Sequence, residues 1–156
     1  MNRRLCAALL AASLLAGCSG FKTYPDTVPR NLHIRTETSS GSVFSKVRAA
    51  VHIHSIGASC RSDYQGTVQL NEPSIEVGIP TERLSLMAFV FTSSAALGGS
   101  SSMRVEALLK PRPGYTYDAK VSYADRMYDV VIREIDPRRS SSREIERKSW
   151  KSCSPA

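Results

Sequence analysis

Three histidines carry the most suggestive chemistry in this chain. In VHIHSIGASC, residues 51–60, His52 and His54 stand two apart and Cys60 closes the stretch. Alternate residues of a strand share a face, so both imidazoles project to one side, and His33 lies on the polar side of the strand pattern before it. If those two strands pair, three imidazoles converge, and imidazole nitrogen suits zinc, copper or nickel. The same positions alternate with Val51 and Ile53 as the outward polar residues of an ordinary strand do. Both readings stand at this level.

Other reactive patterns are sparse. There is no G-x-S-x-G elbow, no S-x-x-K, no H-E-x-x-H and no glycine-rich phosphate loop. Scattered Ser, His and Asp residues meet only in a fold, so spacing alone does not decide on a triad. No nucleic-acid module is present either. The expectation is a protein that is not an enzyme.

The elements that must position these side chains read as strands. Leu32, Ile34 and Thr36 alternate with His33, Arg35 and Glu37, and a second run from about Lys46 to Ile56 places Ala49, Val51 and Ile53 on one side. Similar runs span Tyr64 to Leu70, Ile75 to Ile79, Leu84 to Phe91 and Met103 to Leu109, separated by NEPS, PTER and PRPG turns. In GYTYDAKVSYADRMYDVVIREI, residues 114–135, a hairpin register sets Tyr123 opposite Tyr128, Val121 opposite Val130, Ala119 opposite Ile132 and Asp118 opposite Arg133. A one-residue slip mixes core with solvent, so the pattern fixes the pairing. The turn centres on Asp125 and Arg126. TSSAALGGSSS, residues 92–102, reads as a long loop of small residues. Residues 141–151 read as a short C-terminal helix or strand.

The first twenty residues have Arg3 and Arg4, an apolar run from Leu5 to Leu15, and small residues before a cysteine, the pattern of an export signal. The tetrad Leu15-Ala16-Gly17-Cys18 closely resembles the bacterial lipobox. That resemblance implies cleavage before Cys18 and attachment of diacylglycerol to its sulfur, with further acyl chains such as palmitate; several chains together hold a protein on a membrane. Ser19 stands where the inner-membrane retention signal of such lipoproteins is typically aspartate, which implies the periplasmic face of the outer membrane. Residues 1–17 are then the signal peptide and 18–30 the lipidated cysteine with a flexible tether, reaching about 35 to 40 Å if extended. Residues 31–156 form the domain.

Removing Arg3 and Arg4 from the 21 basic residues leaves 19 against 14 acidic ones, a formal charge of +5. The excess gathers near the end, where Arg138, Arg139, Arg143, Arg147 and Lys148 are candidate contacts for an anion or an acidic partner, or simply a solvated tail. Of the four cysteines, Cys6 leaves with the signal and Cys18 takes lipid. Cys60 and Cys153 remain, and in an oxidising compartment they most simply form one bridge fastening the tail to the body.

The strand order and the hairpin at residues 111–117 are broadly similar to transthyretin-like or immunoglobulin-like β-sandwiches of bacterial surface lipoproteins, which implies a mainly β, single antiparallel sandwich. The expected function is binding or assembly at the envelope. Its partners are the bilayer, through the acyl anchor, and an envelope protein; neither nucleic acid nor a small-molecule substrate is indicated, and no cofactor beyond the lipid. Metal binding through His33, His52 and His54 and inhibition of a hydrolase are the competing readings.

Overall fold

Period-two burial builds the central strands of the chain. In the computed structural model, residues 21–38, 45–95, 99–124 and 127–153 are described. They form β1 (Leu32–Thr38), β2 (Ser45–Ile56), β3 (Ser62–Gln69), β4 (Ser74–Val77), β5 (Leu84–Ala95), β6 (Ser100–Leu109), β7 (Thr116–Ala124), β8 (Met127–Asp136) and β9 (Ser141–Glu144). A five-stranded sheet, β4-β1-β7-β8-β9, packs on a four-stranded sheet, β3-β2-β5-β6. This is the expected mainly β sandwich.

The inner faces supply the core. Leu32 and Ile34, Val51 and Ile53, Met87, Phe89 and Phe91, Tyr117, Ala119 and Val121, and Val130 and Ile132 are all buried in one cluster. Burying each large apolar side chain contributes roughly 1.5 to 3 kcal/mol, so the alternation decides which face of each strand turns inward. The β7–β8 ladder has the expected register, with Tyr123 facing Tyr128, Val121 facing Val130, Ala119 facing Ile132 and Asp118 facing Arg133. Its turn at residues 125–126 lies outside the described residues. Tyr128 packs against Phe91 at 4.5 Å between ring centroids and stacks on Tyr123 at 4.4 Å.

Three expectations change. First, β1 and β7 pair in parallel, Leu32 with Tyr117 through Thr38 with Tyr123, so the sandwich is not purely antiparallel. A parallel pair requires a long crossover, and here the intervening chain builds the whole of the other sheet before returning. Second, residues 92–95 and 100–102 of the expected loop are strand, 96–98 lying outside the described residues: β5 and β6 continue their ladder through Thr92–Ser102, Ser93–Ser101 and Ser94–Ser100. Ladder bonds use backbone groups regardless of side chain, and the Ser93 and Ser101 hydroxyls pair across it at 2.7 Å. Third, the stretch from residue 18 to 30 is not a free tether over its length. From Lys22 it is docked on the domain.

That docking is specific. Tyr24 N–H donates to Thr67 O at 3.0 Å and Thr67 N–H donates to Lys22 O at 2.7 Å, which adds a short parallel bridge to the outer edge of β3. The Tyr24 hydroxyl then donates to Gly78 O, just beyond β4. Two glycines make room for this strap. A Cβ on Gly66, at φ +152°, would lie 2.5 Å from Tyr24 Cα, and one on Gly78 would lie 2.2 Å from Val28 O. Gly66 follows a β-bulge, since Ile53 pairs with Gly66 while His54 pairs with Tyr64.

The C-terminal segment closes the opposite side. The question of helix or strand resolves into β9 and one 3₁₀ turn, Trp150–Ser152. Ile145 N–H donates to Ile132 O on β8, Leu108 N–H on β6 donates to Lys148 O, and Trp150 N–H donates to Glu106. The segment therefore steps from one sheet to the other and ends at the Cys60–Cys153 disulfide, as expected. Cys60, at φ 57°, sits in the tight turn joining β2 to β3.

The bridge links residues 93 apart, and in the chain-entropy treatment a loop of that length contributes about 4 to 5 kcal/mol. Urea unfolding of the paired Cys60→Ser, Cys153→Ser variant should show a loss of that order; a loss below about 1 kcal/mol would mean that other contacts hold the strap unaided.

Candidate functional site

The outer face of the five-stranded sheet gathers more polar chemistry than any single strand pattern reveals. His33 and Arg35 point outward from β1, and β1 lies between β4 and β7. Outward neighbours on those strands are Ser74 and Glu76 on one side and Asp118 on the other. His33 Nε2 lies 2.5 Å from Ser74 Oγ and its Nδ1 lies 3.5 Å from Asp118 Oδ1. His33, Arg35 and Asp118, together with Arg30 and Glu76, line an open groove of about 460 Å³.

Hydroxyl, imidazole and carboxylate in that order have the connectivity of a nucleophile, a base and its orienting group. The electrostatics favour a different role. Arg35 forks onto Asp118, with Nε to Oδ1 at 2.9 Å and a second nitrogen to Oδ2 at 2.6 Å. Those charge-assisted bonds hold the Asp118 carboxyl below its usual range and neutralise most of what it would offer the imidazole. His33 is left with a long contact and a side chain 42% exposed. Serine activation works best in a water-excluded site with donors aimed at developing charge, whereas Ser74 is exposed on an open sheet face. The array ties edge strand β4 to β1 and β7.

The two strands, β1 and β2, do not pair, so the three imidazoles do not converge. His33 belongs to one sheet, and His52 and His54 to the outer face of the other. Among the described residues no group of three His, Cys, Asp or Glu is arranged to hold a metal ion. Instead His52 Nδ1 pairs with Thr67 Oγ1 at 2.7 Å and His54 Nδ1 with Ser62 Oγ at 2.9 Å. Phe21 meets the His52 ring edge-on at 5.4 Å, and the Tyr64 ring stands 5.3 Å from His54. Partial burial, followed by the Arg104 charge, pushes both histidines below their ordinary value.

The basic tail is largely self-neutralised. Arg143 donates to Glu134 at 2.9 Å, Arg147 lies 3.4 Å from Asp129 and Arg139 lies 3.8 Å from Asp136. Arg138 contributes its backbone N–H to Asp136, and Lys148 its carbonyl to the β6 edge. Glu134 is the buried member of this group, 5% exposed. Arg112 forks onto both its oxygens and the Tyr117 hydroxyl donates to Oε2 at 3.0 Å. The hydrogen bonds from Arg112 keep its carboxyl well below the usual range, and Tyr115 lies under the guanidinium at 3.8 Å. This knot fastens the loop before β7 to β7, β8 and β9.

Sequence reasoning missed Ser74, Thr67 and Ser62 as the partners of His33, His52 and His54. Asp118 was legible as the outward neighbour of Arg133, but its fork comes from Arg35 across the parallel β1–β7 pair, which no local pattern announces. Cys18 and the leader lie outside the described residues. Among the described residues no helix is long and apolar enough to cross a membrane. Comparisons with protein-family models, curated proteins and solved structures found no match for this chain.

The histidine pair gives the fold a pH signature. With folded-state values below about 6.5, the unfolded chain takes up protons first as pH falls, so their contribution to stability is present above that value and lost toward acid. In urea unfolding, the stability lost between about pH 7 and 5 should shrink in the His52→Asn, His54→Asn variant, while the carboxylate-driven loss at lower pH persists. An unchanged slope over that interval would show that neither ring titrates abnormally.

Proposed function

We propose that this chain is a lipid-anchored envelope protein, held through Cys18 at the periplasmic face of the outer membrane, that works by binding rather than by turnover. The observation that carries the reading is the tetrad Leu15-Ala16-Gly17-Cys18 at the end of an apolar leader, with Ser19 following. A bridged Cys60–Cys153 pair suits the oxidising compartment to which such a leader directs a protein. The partner is an envelope protein, and the surfaces available to it include the exposed end of edge strand β6, Ser100–Arg104. Arg138 and Lys148 offer further positive charge. The pairing of Arg35 with Asp118 supports a contact role for the His33 face, since it takes the charge that a catalytic imidazole needs.

One experiment addresses both halves. Native protein extracted from envelopes is exposed to a fluorophosphonate, which traps activated serines, and its intact mass and peptides are read. The reading expects a diacylglyceryl-modified, acylated Cys18 as the N-terminal residue and no adduct on Ser74. An unmodified Cys18 thiol would overturn the anchor, and a phosphonylated Ser74 would overturn the non-catalytic role.

A further inference from the structure

We infer that the outer face of the four-stranded sheet, around Phe21, His52 and Tyr64, rests on the phospholipid surface that holds the anchor. The inference rests on lipidation of Cys18 and adds an orientation to it.

Chain length sets the first limit. Only three peptide steps separate Cys18 from Phe21, a reach of at most about 10 to 11 Å. From Lys22 onward the backbone is hydrogen-bonded to β3 and takes no further part in spacing the domain from its anchor. The outer face of the five-stranded sheet lies beyond a second layer about 10 Å deeper, before side chains are added, so it cannot also sit at the headgroups.

Side-chain placement sets the second. Phe21 does not stay at the β3 edge: its ring reaches over that strand to meet His52 on β2, which places the ring on this face. The ring is nevertheless 70% exposed, one of the few large apolar side chains left in that condition among the described residues. Tyr64 flanks His52 on the same face with its hydroxyl directed at Lys22 O and Thr67 Oγ1, an apolar body with a hydrogen-bonded tip of the kind that suits a membrane–water boundary.

Charge is the third consideration. Exposed Lys22 and Arg48 stand on or beside this face, and Arg104 joins them, partly offset by Glu106 at 3.1 Å. On the opposite face Arg35 pairs with Asp118 and Lys120 with Glu37, while exposed Arg133 makes no ion pair among the described residues. A cationic rim around an exposed aromatic ring complements anionic headgroups.

The test uses the native lipidated protein reconstituted into phosphatidylethanolamine–phosphatidylglycerol vesicles with brominated acyl chains, which quench tryptophan near the headgroup boundary. Phe21→Trp is compared with Met127→Trp, a 71% exposed site on the other sheet, each measured against the parent carrying Trp150 alone. The emission added by the Phe21→Trp substitution should fall by about half or more, and that added by Met127→Trp should stay unchanged. Unquenched emission from the Phe21→Trp variant, or equal quenching at both sites, overturns the orientation while leaving the anchor intact. An intact mass without lipid on Cys18 overturns anchor and orientation together.

Discussion

A sandwich of two sheets leaves two long flanks where the sheets do not meet, and each flank ends in strands with unsatisfied backbone groups. Closing those flanks is the constraint on which this fold depends. The chain answers it with its own termini. Residues 22–28 bridge β3 to Gly78 beside β4, and residues 145–153 step from β8 to β6 and on to the β2–β3 turn. The N-terminal closure relies on shape, since two glycines clear its path. The C-terminal closure relies on a covalent bond, because Ile145 and Trp150 are only partly buried and most of the other side chains of the segment are polar and exposed.

With the flanks closed, the polar groups can be understood by what they fasten. Asp118 and Glu134 are two low-exposure carboxylates of the five-stranded sheet, and each is gripped by an arginine fork. Removing one partner from such a pair leaves charge without compensation and is far costlier than its net contribution. The residues that first looked reactive therefore join strands to one another. Chemistry-bearing side chains at strand spacing are placed by the sheet that carries them, and the two sheets separate His33 from His52 and His54.

The sequence made the local structure legible. Alternation from residue 114 to 135 dictated the hairpin and its register, because any slip would bury Asp129 or expose Val121. It could not reveal the parallel β1–β7 contact, which depends on a return across the whole domain, nor the strand character of residues 92–95 and 100–102, where a run of serines hides a backbone ladder. The strap at Lys22–Tyr24 was hidden for a similar reason. Two prolines and no period look like a linker, while the docking groove exists only once β3 and β4 are side by side. The lipobox-like tetrad ending at Cys18 is the reverse case, a pattern readable only as sequence.

Native-state amide hydrogen exchange tests the closure most directly, through Thr67, whose N–H bonds the N-terminal strap, and Leu108, whose N–H bonds the C-terminal one. With the disulfide intact, both amides should be strongly protected. On reduction under native conditions, Leu108 should lose protection by about tenfold or more while Thr67 keeps it. Free exchange at both amides in the oxidised protein would contradict the account, as would a Leu108 protection indifferent to the state of the Cys60–Cys153 bond.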